Sequence, residues 1–113
     1  MKITKATAAK NKPNPHGVDA KKIHDNEHAQ VMHLTLQPGQ ALKKHITPVD
    51  IFFYVLEGKG DVEIGEERET TSRDSLIDSP AGIPHCWYNT GEKPLRILVV
   101  KTPRPTDKTV FVS

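Results

Sequence analysis

Cysteine, aromatic residues and long apolar runs are all scarce in this chain of 113 residues. Its single cysteine, Cys86, cannot form a disulfide within the chain. No stretch approaches the ~20 apolar residues that a membrane-spanning helix needs, and the N-terminal segment lacks the apolar core of a secretion signal. We therefore expect a cytoplasmic protein that is not inserted in a membrane.

The chain also lacks any block of one charge. Sixteen basic residues stand against 14 acidic ones, and the net charge is +2. Because proteins that bind nucleic acids normally show a basic stripe, we expect no nucleic-acid partner. A hydrophobic share of 35% and a charged share of 27% are ordinary for a globular protein, and the length suits one domain with its own core.

What the chain does have is a succession of short segments that are typical of β-strands. In residues 30–36, for example, Met32, Leu34 and Leu36 alternate with more polar neighbours. Turns rich in glycine and proline separate the predicted strands, which cover residues 30–36, 40–46, 50–56, 61–64, 67–71, 75–78, 84–88, 95–101 and 109–112. No segment shows the period of a long amphipathic helix, so the pattern predicts an all-β barrel or sandwich.

Three regions follow from this pattern. Residues 1–29 are polar and interrupted by prolines, which predicts an N-terminal arm with at most one short strand. Within it, His16 is expected to be simply a turn residue. Residues 30–101 form the predicted barrel, and residues 102–113 a C-terminal tail that supplies an edge strand or a strand exchanged between subunits.

Two motifs in the barrel carry the residues that are capable of chemistry. The first runs from Gly39 over five residues to His45 and ends in the segment 54–58, Y-V-L-E-G. The second has the form P-x-G-x-x-H-x-x-x-N over residues 80–89, and its histidine is His85. In order and spacing, the pair resembles the two motifs of the cupin superfamily. The resemblance implies a single-domain cupin, a double-stranded β-helix or jelly-roll barrel with one pocket.

Only half of the metal ligands that this resemblance implies are kept. Cupins hold a metal with two histidines and a glutamate from the first motif and a histidine from the second. His45 and His85 match the first and last of these ligands, whereas Thr47 and Ile51 occupy the other two positions. Because a threonine hydroxyl is a poor ligand and isoleucine cannot ligate, we expect at most a weakly bound divalent transition metal (Zn, Ni, Mn, Fe or Cu) at His45 and His85.

Other residues offer weaker candidates for a metal ligand. Asp50 would need a β-bulge to turn its carboxylate inwards, and otherwise bonds the turn at the start of its strand. Cys86 has the wrong strand parity and is expected to be buried as a small apolar residue. His33 lies opposite the apolar face of its strand and is expected to point outwards. His24 and His28 have the spacing of a helical zinc site, but their polar surroundings favour an exposed loop.

The predicted pocket draws its lining from both motifs. Its residues are His45, Thr47, Ile51, Phe53, His85 and Trp87. This mixture favours a protein that binds a small molecule, whose polar groups the histidines would hold. The alternatives are a metal-dependent enzyme of the dioxygenase or isomerase type, a metal-free enzyme with His45 or His85 as the base, and a sensor that acts through another protein. The resemblance and the apolar strands also imply a homodimer.

Overall fold

The computed structural model describes residues 1–11, 13–106 and 109–112, and within these ranges all regular structure is β-strand. The strands are β1 Asp19–Asp25, β2 Gln30–Leu36, β3 His45–Ile46, β4 Ile51–Glu57, β5 Lys59–Ile64, β6 Glu67–Ser72, β7 Leu76–Ser79, β8 His85–Tyr88, β9 Leu95–Lys101 and β10 Val110–Phe111. The all-β prediction is therefore confirmed. In the same ranges there is no helix that could span a membrane.

The strands form two antiparallel sheets of five strands each. Their orders are β1-β2-β9-β4-β7 and β10-β3-β8-β5-β6. Most neighbours are distant in sequence, since β9 lies between β2 and β4, and β8 lies between β3 and β5. This interleaving of early and late strands is the topology expected of a jelly roll, and both sheets contribute side chains to one buried core.

The period of two in each strand decides which side chains enter the core. In β9, Leu95, Ile97 and Val99 are buried and alternate with more exposed neighbours. Burial of each such side chain contributes roughly 1.5–3 kcal/mol to folding. The next position on the same inward face is Lys101, so a row of apolar residues ends in a cation at the last residue of β9.

β3 is shorter than the predicted strand over residues 40–46, because only His45–Ile46 joins a ladder. Upstream, Ala41 makes an isolated bridge to β8, and the Lys43 N–H is donated to the ring of His16 over 2.7 Å. A backbone N–H that a side chain already satisfies is not available to a neighbouring strand. The first cupin-like motif therefore enters its strand only at His45.

The predicted arm and tail both contact the barrel. β1 of the arm pairs along β2, and β10 of the tail pairs with β3 of the same chain at the edge of the second sheet. Four residues of these segments lie outside the described ranges: Lys12, Asp107, Lys108 and Ser113. The region boundaries after residues 29 and 101 stay predictions.

Candidate ligand pocket

A cavity of about 170 Å³ lies where β3, β4 and β9 meet the arm and the tail. Its apolar wall includes Met32, Leu34, Ile51, Phe53 and Val99. Its polar residues are Asn14, His16, His45, Thr47, Lys101 and Thr109. Among the residues that the structure describes, no aspartate or glutamate lines it. The polar part of the described lining therefore consists of two histidines, two threonines, an asparagine and a single cation.

A larger groove of about 910 Å³ lies elsewhere, between the edge strands β6 and β7. It is lined by carboxylates together with exposed apolar side chains, among them Glu66, Glu67, Glu69 and Asp78. Neither motif histidine reaches it. The smaller cavity is the one that contains the residues singled out by the two motifs.

The two motif histidines meet across the pair formed by β3 and β8. His45 is directly opposite His85 in the ladder, and their Nε2 atoms are 3.0 Å apart. His45 Nδ1 lies 2.7 Å from the carbonyl oxygen of Lys43, which can only accept, so Nδ1 carries the proton and Nε2 is the acceptor. His85 Nε2 faces this acceptor, and the Ser79 hydroxyl lies 3.3 Å from His85 Nδ1.

Burial keeps these rings uncharged at neutral pH. Burial, followed by the charge of His45, lowers the pKa of His85 to about 4. Burial, followed by the charge of His45, also lowers the pKa of His16 to about 4. Burial also lowers the pKa of His45, against the opposing effect of its bond to the Lys43 carbonyl. The histidines therefore act as neutral hydrogen-bonding groups.

Lys101 is the only cation that lines this cavity within the described ranges. It pairs with Gln30 of β2 on one side and Ile51 of β4 on the other. Burial lowers the pKa of its ammonium group because removal from water disfavours the charged form. Within the described ranges, no hydrogen bond or ion pair is formed by its side chain.

The six predicted pocket residues occupy two layers. His45, Thr47, Ile51 and Phe53 line the cavity itself. His85 and Trp87 lie behind them and are 1% and 0% exposed. His85 reaches the cavity through its bond to His45, and Trp87 packs edge-on against Phe53 with ring centroids 5.4 Å apart. A role for any of them in binding stays a prediction.

Three of the cavity residues that the sequence did not predict are capable of polar or aromatic contacts with a ligand: His16, Lys101 and Phe111. His16 does lie in a turn, but its ring is 5.2 Å from that of His45. Phe111 of β10 packs on both rings, at 5.4 and 5.7 Å. No local pattern signals either contact, because the three residues come from distant segments. Lys101 could have been found, since it shares the parity of Leu95, Ile97 and Val99 in one strand.

The residues in place do not complete the four-ligand metal site that the resemblance implies. A site for such an ion generally needs at least three protein ligands. Here the Thr47 hydroxyl lies 3.4 Å from His85 Nε2, and Ile51 adds a hydrocarbon side chain to the cavity wall. Among the described residues, no group of three or more histidine, cysteine or acidic side chains is arranged so that it could hold a metal ion. Two nitrogens remain, and no reaction step can be derived through a metal here.

The alternative ligands lie away from the motif histidines. Asp50 is exposed, and its carboxylate accepts the Ala81 N–H over 2.8 Å, so it fastens the turn before β8 instead of facing inwards. His24 and His28 are exposed, and His28 Nε2 lies 3.2 Å from the Glu27 carboxylate. The spacing of His24 and His28 therefore belongs to β1 and the turn that follows it, not to a helix.

Cys86 and His33 are buried in polar surroundings. Cys86 is 1% exposed, as expected, but its thiol lies 3.3 Å from the Glu63 carboxylate and 3.2 Å from the Tyr88 hydroxyl. Burial raises the pKa of this thiol, which stays protonated. His33 faces away from the cavity, yet is only 5% exposed because Arg96 covers it and donates to its Nε2.

Comparison with known proteins agrees with the topology. Residues 32–101 match the family model described as "Cupin domain". The uncharacterized protein YrkC of Bacillus subtilis is 32% identical over 84 residues, which cover 68% of this chain and 45% of that protein. The chain spans about half the length of the curated relatives it matches.

Two solved structures extend the comparison to the fold. TT1209 from Thermus thermophilus has a TM-score of 0.79 and 32% identity, over 93% of this chain and 100% of that one. The polyketide cyclase RemF from Streptomyces resistomycificus has a TM-score of 0.85 and 20% identity, over 100% and 86% of the two chains. With two antiparallel sheets, paired motif histidines and a family match over most of its length, this chain belongs to the cupin domain family.

Proposed function

We propose that this protein binds a small molecule in the cavity beside His45. The observation that carries the proposal is the composition of the cavity, in which an apolar wall meets a small number of polar groups. Ligand sites have this character, because apolar area supplies affinity and a few polar atoms fix the orientation. No step of a chemical reaction is assigned to the site.

The size of the cavity limits the ligand. An apolar cavity of roughly 150 Å³ holds a molecule such as benzene, and the cavity here measures about 170 Å³. We therefore expect a ligand about as large as one substituted aromatic ring or a short branched chain. His16 accepts a backbone N–H at Nδ1, which leaves its Nε2–H as a donor for such a ligand.

The test is a screen of small ligands by ligand-observed NMR with two matched variants. Met32 lines the cavity, whereas Val31 precedes it on the opposite face of β2. Met32→Phe should fill the cavity and abolish binding, and Val31→Phe should leave binding unchanged. A failure of the parent protein to bind any ligand of this size, or equal binding by both variants, would contradict the proposal.

A weakly bound divalent transition metal is the second candidate. It is favoured by one distance, the 3.0 Å between the Nε2 atoms of His45 and His85, since two ligands of one metal lie at a similar separation. We expect far less than one metal per chain in protein purified without chelators. Near-stoichiometric metal that disappears in His45→Ala/His85→Ala would instead favour a metal-dependent enzyme of the dioxygenase or isomerase type.

A cytoplasmic location and the lack of a nucleic-acid partner stay expectations.

A further inference from the structure

We propose that the ligand carries a carboxylate or a similar small anionic group, and that Lys101 binds it. The inference rests on the proposed function, because it names the chemical class of the molecule that the cavity holds. Lys101 lies at the end of the inward-facing row of β9, whose other members, Leu95, Ile97 and Val99, are apolar.

The placement of Lys101 is set by the backbone. Register pairing holds the residue between Gln30 and Ile51, and strand parity directs its side chain to the same side as Val99. Both Val99 and Lys101 line the cavity. A surface lysine on the outward face of β9 would not have this environment, so the ammonium group belongs to the cavity.

The charge of Lys101 has no counterpart in the described residues. The described cavity lining contains no carboxylate, and burial alone lowers the pKa of this lysine. The neighbouring histidines are uncharged and cannot supply negative charge. A half-buried ammonium group without a partner is unfavourable, and an anion that enters the cavity would remove this cost.

The other polar groups suit the same ligand. His16 presents an Nε2–H, and neutral N–H donors strengthen the binding of a carboxylate beside a cation. Ile51 and Phe53 provide the apolar surface for the rest of the molecule. Position 51, where the family has a glutamate, is isoleucine in this chain and lies opposite Lys101. A carboxylate at this position would compete with the ligand for Lys101, whereas isoleucine leaves the ammonium group available.

The experiment compares pairs of probes that differ only in charge. Carboxylates of cavity size, such as benzoate, are each titrated beside the matching amide, such as benzamide, by NMR at neutral pH. We expect the parent protein to bind the acids at least tenfold more tightly than the amides. Lys101→Met should remove this preference, so that each acid binds no more tightly than its amide, and Lys101→Arg should retain it.

Controls separate this inference from the proposed function. Lys59→Met alters an exposed lysine at the start of β5 and should leave the preference intact. Lys101→Met should melt no lower than the parent without ligand, because it removes a partly buried charge that has no counterpart among the described residues. Equal binding of acids and amides by the parent, or a preference that survives in Lys101→Met, would overturn the anion inference and leave the binding function standing. If neither member of any pair binds, both fail.

Discussion

At the scale of single residues, His85 couples the stability of the barrel to pH. Its pKa is about 4 in the folded protein, against an ordinary value of 6.5. Between these values the unfolded chain takes up a proton that the folded chain does not, so stability rises with pH through this window. A tenfold difference in proton affinity between the folded and unfolded chain corresponds to about 1.4 kcal/mol of stability. The stability that His85 contributes near pH 7 is thus lost progressively below about pH 6.5.

We expect the free energy of unfolding to fall by about 2 kcal/mol from His85 alone between pH 7.5 and pH 5. His16, with a pKa of about 4, adds a loss of the same sign. Urea denaturation of chelator-treated protein measures the effect. His85→Gln should show a weaker pH dependence, whereas His28→Gln, in an exposed turn, should match the parent. Identical profiles for His85→Gln and the parent would contradict this account.

The residues at positions 47 and 51 account for the incomplete metal site. Thr47 and Ile51 are 1% and 3% exposed and line the cavity together with His45. Thr47→His combined with Ile51→Glu restores the ligand set that the family resemblance implies. We expect this double variant to bind close to one equivalent of a transition metal per chain, as measured by elemental analysis.

A matched control for that variant is Val49→His with Phe52→Glu, which adds the same groups beside the motif but outside the lining of the cavity. It should not raise the metal content. If the pocket variant remains folded by circular dichroism and still binds no more metal than the parent, the loss of these two ligands is not what prevents metal binding.

At the scale of secondary-structure elements, the junction between β4 and β5 depends on Gly58. This residue has a φ of +82°, and a Cβ there would collide with the Pro94 carbonyl oxygen. Gly82, in the turn before β8, has a similar φ of +78° but open space around the same position. An alanine at either position would have a strained backbone, but only an alanine at position 58 would also clash with a neighbour. Comparing the two substitutions therefore separates the cost of the strain from the cost of the clash.

We expect Gly82→Ala to lower the free energy of unfolding by about 1 kcal/mol, the ordinary cost of a left-handed backbone for a residue with a Cβ. Gly58→Ala should lose clearly more, because the collision with Pro94 forces the β4–β5 junction apart. Urea denaturation of both variants measures the difference. Equal losses in the two variants would show that the junction adjusts without cost.

The sequence predicts strand bounds correctly where the signals are local. It predicts them wrongly where a side chain from a distant segment bonds to the backbone. β2 spans Gln30–Leu36 and β9 spans Leu95–Lys101, as expected, because alternation and flanking turns are local signals. β3 was predicted too long, since His16 takes the Lys43 N–H from a segment that is 27 residues away. Likewise, Cys86 is buried as expected, but its polar neighbour Glu63 comes from another strand.

At the scale of the whole molecule, the second sheet ends in an open edge. β10 is the outermost strand, and Val110, Phe111 and Val112 are 60%, 43% and 39% exposed. An unpaired edge with apolar side chains is suited to pairing with another chain. We therefore expect a homodimer through this edge, with twice the mass of one chain by light scattering.

Charged substitutions at the two edges test this expectation. Val110→Lys with Val112→Lys should give a monomer. Leu76→Lys, at an exposed apolar residue on the edge strand β7 of the other sheet, should leave the mass unchanged. A parent protein that is monomeric at working concentrations, or a dimer that only Leu76→Lys disrupts, would count against β10 as the interface.

Several properties of this protein are determined by its sequence alone. Alternation and turn residues set the strands and their inward faces, and the two motifs identify His45 and His85 together with the missing ligands at positions 47 and 51. Tertiary structure decided the rest of the pocket. His16 and Phe111 meet His45 because the arm, the tail and β3 pack together. The packed sheets bring Lys101 into a cavity whose described lining contains no acid. Periodicity is encoded locally, whereas contacts between distant segments exist only once the sheets have packed.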